Sequence, residues 1–258
     1  MKSFISYLGG KSLLTRTIIP KIAPHTCYCE VFAGAAWMLF KKEESKVEII
    51  NDINTDLITL YRVVKHHLDE FIRYFRWILV SRDEFERFRK EDPDTLTDIQ
   101  KAVRFYYLLR TGYASRIPQP VFSLSPTRPS CLNLLRIEEE LSMAHLRLSR
   151  VYIDNLPYEK MIKKADRENT FFYIDPPYCG CEDDYGKGLF QSDDFANLAI
   201  VLKEIKGSFI MSINDIPWIR DIYKEFYISE VATTYMCGGG NKKKKAAELL
   251  ISNYKLPE

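Results

Sequence analysis

The sequence predicts an α/β domain with a largely parallel sheet covered on both faces, interrupted by a helical insertion. Two observations carry this. Short β-rich runs alternate with stretches of helical period in both halves of the chain, the order expected of strand–helix–strand units. Between the halves lies a long stretch of helical period with no strand candidate.

Taken in order, residues 27–31 (C-Y-C-E-V) and 47–51 (V-E-I-I-N) read as strands, with a helix over 35–42 between them. Residues 55–66 repeat the helical period through Leu57, Leu60, Tyr61 and Val64. Later strands fall at 170–174 (T-F-F-Y-I), 208–213, 226–233 and 249–252, with helices over 195–204 and 216–224. Residues 69–110 read as successive helices, with a capping signal at Thr97-Asp98. Residues 110–130 form a loop containing Pro118, Pro120, Pro126 and Pro129, and Glu138-Glu139-Glu140 opens a helix running to Leu148. The division predicted is therefore 1–67 plus 149–258 for the α/β domain and 68–148 for the insertion.

A chain of 258 residues holds one such domain with its insertion, and 46% apolar residues exclude a disordered chain. No apolar run reaches the length of a membrane span, and Met1-Lys2-Ser3-Phe4 opens no signal-peptide core. A cytoplasmic monomer without a membrane partner is expected. The cysteines include two C-x-C pairs, Cys27/Cys29 and Cys179/Cys181. The first pair sits in a strand and C-x-C is a poor zinc spacing, so reduced thiols and no metal are expected. Net charge is only +2, but its distribution is uneven. From Lys101 to Arg136 there are six basic residues (Lys101, Arg104, Arg110, Arg116, Arg128, Arg136) and no acid, and Lys242, Lys243, Lys244 and Lys245 follow a glycine run. Two such stretches are suited to a polyanion, although solvated surface charge would read the same way.

Asp175-Pro176-Pro177-Tyr178 ends the strand 170–174. Such a tetrapeptide arises by chance in roughly one chain in a thousand of this size, and open α/β sheets bind ligands at the carboxyl ends of their strands. A plain surface turn would explain the prolines but not an aromatic beside a carboxylate. The set suits an adenine amino group, whose lone pair is delocalised into the ring. Asp175 and a fixed carbonyl at Asp175 or Pro176 can accept its two N–H bonds and stabilise the positive charge that develops as nitrogen attacks a methyl sulfonium. Prolines fix φ and remove competing donors, and Tyr178 offers a face for a base flipped from the duplex. Glu30-Val31-Phe32-Ala33-Gly34-Ala35-Ala36 follows the first strand, with Gly34 permitting a tight turn against a ligand. Asp52 ends the next strand about 20 residues on, where an acid can bind ribose hydroxyls. Tyr7-Leu8-Gly9-Gly10-Lys11 opens a helix; alone it is as readily a structural turn as a site. Residues 183–194, acid-flanked around a glycine-containing segment, could close over a base but read first as a surface loop.

In this order, Tyr7 to Lys11, Phe32-Ala33-Gly34, Asn51-Asp52 with Asn54 to Tyr61, and the D-P-P-Y tetrapeptide resemble the Dam-like adenine-specific DNA methyltransferase family of bacteria and phages. The segment from Gly239-Gly240-Asn241 to Ile251 is similar to the family's last block. The resemblance implies a Rossmann-like methyltransferase fold with a seven-stranded sheet, its last strand inserted antiparallel. It implies S-adenosyl-L-methionine contacts at Tyr7, Lys11, Asp52 and Asp175, with the Phe32/Gly34 turn beside the methionine moiety and Glu30 in the same block. It makes 68–148 the target-recognition insertion, with DNA contacts at Arg110, Tyr113, Arg116, Arg128, Lys242, Lys243 and Lys244, and it implies a bacterial or phage-infected cell. Two departures stand out. Tyr7 replaces a frequent tryptophan, and Ala36 replaces a second glycine, which predicts weaker binding of the methyl donor. The recognition region matches the GATC-reading members only around Gly112-Tyr113, so no target sequence carries over.

Other readings stay open. Cytosine enzymes of related build usually have serine in place of Asp175, and RNA or protein enzymes asparagine. A catalytically weak nucleic-acid-binding homologue would also carry these blocks. A nicotinamide dehydrogenase is disfavoured because G-x-G-x-x-G is absent.

Overall fold

A computed structural model describes residues 1–7, 11–115, 119–182, 188–236 and 243–257, excepting the side chains of 114, 233–236 and 243–247. In chain order the elements are α1 (Thr15–Ile18), β1 (Cys27–Glu30), α2 (Trp37–Lys41), β2 (Val47–Asn51), α3 (Thr55–His66), α4 (Leu68–Phe75), α5 (Arg82–Lys90), α6 (Asp98–Thr111) and α7 (Ile137–Leu148). Then come β3 (Val151–Asp154), α8 (Tyr158–Ala165), β4 (Thr170–Ile174), α9 (Ser192–Glu204), β5 (Ser208–Asn214), α10 (Pro217–Ile222), β6 (Tyr227–Met236) and β7 (Lys243–Ser252).

The seven strands form one sheet in the order β3-β2-β1-β4-β5-β7-β6. The pairs from β3 through β5 are parallel, and β7 runs antiparallel to both β5 and β6. This is the Rossmann-like methyltransferase sheet, with the last strand inserted antiparallel as the resemblance implied. Strand order reverses between β1 and β4, so their carboxyl ends diverge and open a crevice there.

Alternate residues of each strand serve opposite faces. Tyr28, Ile50, Phe171, Tyr173 and Ile210 join the core beneath α2, α3, α6 and α7. Cys29, Phe172, Ile174, Phe209 and Met211 join the core beneath α8, α9 and α10. Burial on both faces is why β4 is apolar throughout. The first core runs without a break from Phe4 through Leu60 and Phe71 to Tyr106 and Leu148. The helices of 68–148 thus share the sheet's own apolar layer.

Local signals fix the helix starts. Asn54 caps α3 by accepting from the Leu57 N–H (3.1 Å), and Ser81 caps α5 from Glu84 (3.2 Å). Thr97 and Gln100 form a capping box at α6. Two elements were not read from sequence, β3 and α8. β3 is a four-residue edge strand with Tyr152 exposed, and α8 spans eight residues behind Pro157. Both are too short for periodicity to register. The loop after α6 is closed at its base: Gly112 bridges Phe122, Tyr113 N–H donates to Val121 (2.7 Å) and Ser123 N–H to Thr111 (2.9 Å). The backbone of 243–245 is strand, paired with 234–236, rather than a loop.

Candidate active site

The carboxyl ends of β1, β2 and β4 converge on a cleft. Tyr7, Lys11, Glu30, Phe32, Gly34, Asp52 and Asp175, far apart in sequence, all line it, together with Pro177. Ala36, Trp37, Ile53, Tyr173, Leu189 and Phe190 are also on its walls. Of these, Ala36 and Ile53 belonged to blocks that the sequence singled out, and Leu189 and Phe190 to the 183–194 segment read first as a surface loop. Phe190 packs edge-on against Phe32 with centroids 5.8 Å apart.

On the β1 side the chain turns at Gly34, with φ +46°, and again at Ala36, with φ +48°. Ala36 keeps the left-handed backbone that a glycine would take. The turn therefore holds its shape, and the substitution costs about 1–2 kcal/mol of backbone strain instead. Asp52 holds this turn: Oδ2 accepts the Gly34 N–H (3.0 Å) and Oδ1 accepts the Asn54 N–H (2.9 Å). Burial pushes the Asp52 carboxyl up from the usual range despite these donors. A carboxylate has about four acceptor sites, so Asp52 can shape the turn and still take a ligand hydroxyl. Tyr7 packs over Gly34, and its hydroxyl receives the Asn54 amide (3.2 Å).

Glu30 is buried at the cleft floor. It accepts from the Tyr28 hydroxyl (2.8 Å) and from the Leu39 N–H (2.5 Å) in the first turn of α2. Desolvation pushes its carboxyl up to about 8.

On the β4 side, Asp175 lies at the strand end with its side chain 21% exposed. Its Oδ1 receives Lys11 Nζ (3.2 Å) and the Ser212 hydroxyl (3.2 Å), and Ser212 in turn meets the Tyr173 hydroxyl (2.8 Å). Burial pushes Asp175 up to about 6, with Lys11 opposing and Glu248 adding to the rise. Lys11 Nζ also donates to the Tyr178 hydroxyl (2.5 Å), lies 4.0 Å from that ring's centroid and pairs with Glu248. The segment after D-P-P-Y is clamped by Asn214 at the end of β5. Its Oδ1 accepts the Cys179 N–H (3.0 Å), and its Nδ2 donates back to the Cys179 carbonyl (3.1 Å). Sequence reading missed Ser212, Asn214 and Glu248. Their signal was a polar residue inside an otherwise apolar buried strand.

Of the predicted DNA contacts, those among the described residues, Arg110, Tyr113 and Arg128, do not line this cleft. Tyr113 is half exposed, and Arg128 is exposed. Arg110 turns inward: it is 15% exposed, donates to the Phe4 carbonyl (3.4 Å), pairs with Glu140 (3.5 Å) and lies over the Tyr106 ring. Arg116 and Lys242 lie outside the described residues, as do the side chains of Lys243 and Lys244. The two C-x-C pairs sit at opposite ends of the strands. Cys27 pairs with Thr170 at the start of β4, whereas Cys179 lies beyond its end. They cannot share one metal ion. No helix among the described residues is long and apolar enough to cross a membrane.

Residues 7–237 match the D12 class N6 adenine-specific DNA methyltransferase family. Among curated relatives, Type II methyltransferase M1.LlaDCHI of Lactococcus lactis subsp. cremoris is 25% identical over 98% of this chain and 96% of its own length. Type II methyltransferase M.MjaIII of Methanocaldococcus jannaschii is 28% identical over 98% and 99%. The DNA adenine methylase of Escherichia coli K12 is 24% identical over 98% and 95%.

Proposed function

We propose, for a chain that belongs to the D12 class N6 adenine-specific DNA methyltransferase family and methylates adenine in DNA, that S-adenosylmethionine is the methyl donor and that the β1/β4 cleft is where transfer occurs. The observation that carries this reading is the position of Asp175. It stands at the reversal of strand order, in the cleft that the Gly34 turn also lines. The residues fit the donor. Tyr7 and Phe32 offer apolar walls, Gly34 a turn without a side chain, and Asp52 a carboxylate for ribose hydroxyls. Bound there, S-adenosylmethionine supplies a methyl group activated by its sulfonium.

The chain's own contribution is to hold the amino group. Among the described residues both donors to the Asp175 carboxylate, Lys11 and Ser212, reach Oδ1, and Oδ2 is proposed to accept an adenine N–H. The carbonyls around Pro176 accept the second N–H, and positive charge developing on nitrogen is stabilised by the carboxylate. The base stacks on Tyr178 after flipping from the helix. Because Asp175 works as an anion and is pushed up to about 6, transfer rises with pH through that region.

Residues 68–148 are proposed to read the target, through the closed loop carrying Tyr113 and the exposed Arg128, with the 242–244 lysines as a second contact to DNA. Arg110 is proposed to brace the loop's base. A DNA substrate would put the enzyme in the cytoplasm of a bacterial cell. Asp175→Ala should abolish transfer of labelled methyl to DNA while the protein stays folded, and digestion of DNA treated with the parent should yield N6-methyl-2′-deoxyadenosine as the modified nucleoside. Undiminished transfer by Asp175→Ala would overturn the assignment.

A further inference from the structure

Glu248 lies on β7, behind the cleft and far in sequence from Lys11, and is fully buried at 0% exposure. It pairs with Lys11, itself 4% exposed. The same Lys11 nitrogen reaches Asp175 Oδ1 at 3.2 Å and the Tyr178 hydroxyl at 2.5 Å. An ammonium carries three N–H donors. Here they face three oxygens, contributed by β7, the end of β4 and the D-P-P-Y turn. Glu248 is fixed in this place by the sheet, since it stands opposite Asn214 in the β5–β7 ladder, and Asn214 clamps Cys179.

Charge balance makes the second carboxylate informative. Burying Lys11 is costly, and one partner, Asp175, would already neutralise it. Adding Glu248 gives the cluster a net negative charge beside the carboxylate that meets the amino group, where positive charge develops. The other groups facing Asp175 do not supply this. Ser212 and the Tyr173 hydroxyl behind it are neutral, and Glu30 is bound to Tyr28 and to the start of α2.

We propose that Glu248 is a positioning residue for methyl transfer: by binding Lys11 it keeps that ammonium from neutralising Asp175, which then meets the amino group as a full-strength acceptor. The proposal rests on the β1/β4 cleft being the site of transfer. Its direction follows from Coulomb's law. Removing the Glu248 charge leaves Lys11 unopposed, lowers the basicity of Asp175 and weakens its hold on the amino group.

The test is single-turnover transfer from tritiated S-adenosylmethionine to a duplex that the parent methylates, followed across the pH range in which circular dichroism shows each variant to be folded. Glu248→Gln keeps the shape and an acceptor for Lys11. Its plateau rate should fall by about tenfold and its acidic limb should move to lower pH by about one unit. Glu248→Asp, which restores the charge, should bring the limb back toward the parent. A Glu248→Gln enzyme with the parent's plateau and limb overturns the proposal. So does a lowered plateau with an unmoved limb, which would mark a structural role. Should Glu248→Gln not fold, Glu248→Asp carries the test, and a limb displaced like that of an uncharged residue overturns the proposal. Transfer that survives Asp175→Ala would instead bring down the assignment of the cleft, separately from either Glu248 result.

Discussion

Gly34 carries a φ of +46°, and a Cβ added there would lie 3.4 Å from the Tyr7 ring. The backbone works against a side chain at this position, since left-handed conformation costs an L-residue about 1–2 kcal/mol, and an added methyl would sit in van der Waals contact with Tyr7 on the wall of the cleft. Gly34→Ala should therefore lower unfolding free energy by about 1 kcal/mol and weaken S-adenosylmethionine binding, as read by denaturant melts and calorimetry. Parent-like values in both would remove Gly34 from the binding turn. Neighbouring Ala36 accepts the same backbone strain without being glycine, so the chain tolerates one strained residue in this turn.

Among the elements, the connection from α6 into the loop proposed to read the target turns on Gly112. Its φ of −81° suits any residue, yet a Cβ would fall 2.6 Å from the Leu108 carbonyl oxygen, a backbone atom that cannot swing aside. Gly112 also bridges Phe122 and so closes the loop's base. Gly112→Ala should loosen the end of α6 and displace the loop, with DNA affinity falling several-fold while S-adenosylmethionine affinity holds. Binding isotherms for the two ligands on one preparation check this. Equal loss of both would mean that the insertion and the cleft deform together, through the apolar layer they share. The strands differ in this respect, because polar insertions into them serve the site. Ser212 and Asn214 lie on β5 and Glu248 on β7, and the sheet sets them against Asp175, Cys179 and Lys11 respectively.

For the molecule as a whole, the buried carboxylates give stability an uncommon pH dependence. Glu30 is held up to about 8 from an ordinary 4.5, so the folded protein keeps a proton that the unfolded chain has released between those values. Where the folded state binds more protons, stability falls as pH rises. Glu30→Gln removes this dependence and preserves the acceptor for Tyr28 and Leu39. Its stability relative to the parent should rise steadily from about pH 4.5 to about pH 8. Chemical denaturation at several pH values measures the difference, and a constant offset would show that Glu30 titrates normally. Glu48, between Lys42 and Arg147, is pushed below its ordinary value by those partners and contributes in the opposite sense at lower pH.

Local chemistry alone determined much of this protein. Asn54 and Thr97 start their helices by hydrogen bonds to residues three positions away. The apolar run of β4 declares a strand buried on both sides, and D-P-P-Y at its end needs no distant partner to be recognised. The pieces whose meaning depends on burial were not legible. β3 is an edge strand of four residues and becomes a strand by pairing with β2. Arg110 looks in sequence like one more cation of a basic surface, but packing turns it toward Phe4 and Glu140. Lys11 and Glu248 stand 237 positions apart, and no local pattern links them. Their pairing exists because β7 is inserted antiparallel beside β5, which sets a carboxylate from the chain's end against a lysine from its beginning. Folding removes water from both, and only then does their charge bear on Asp175.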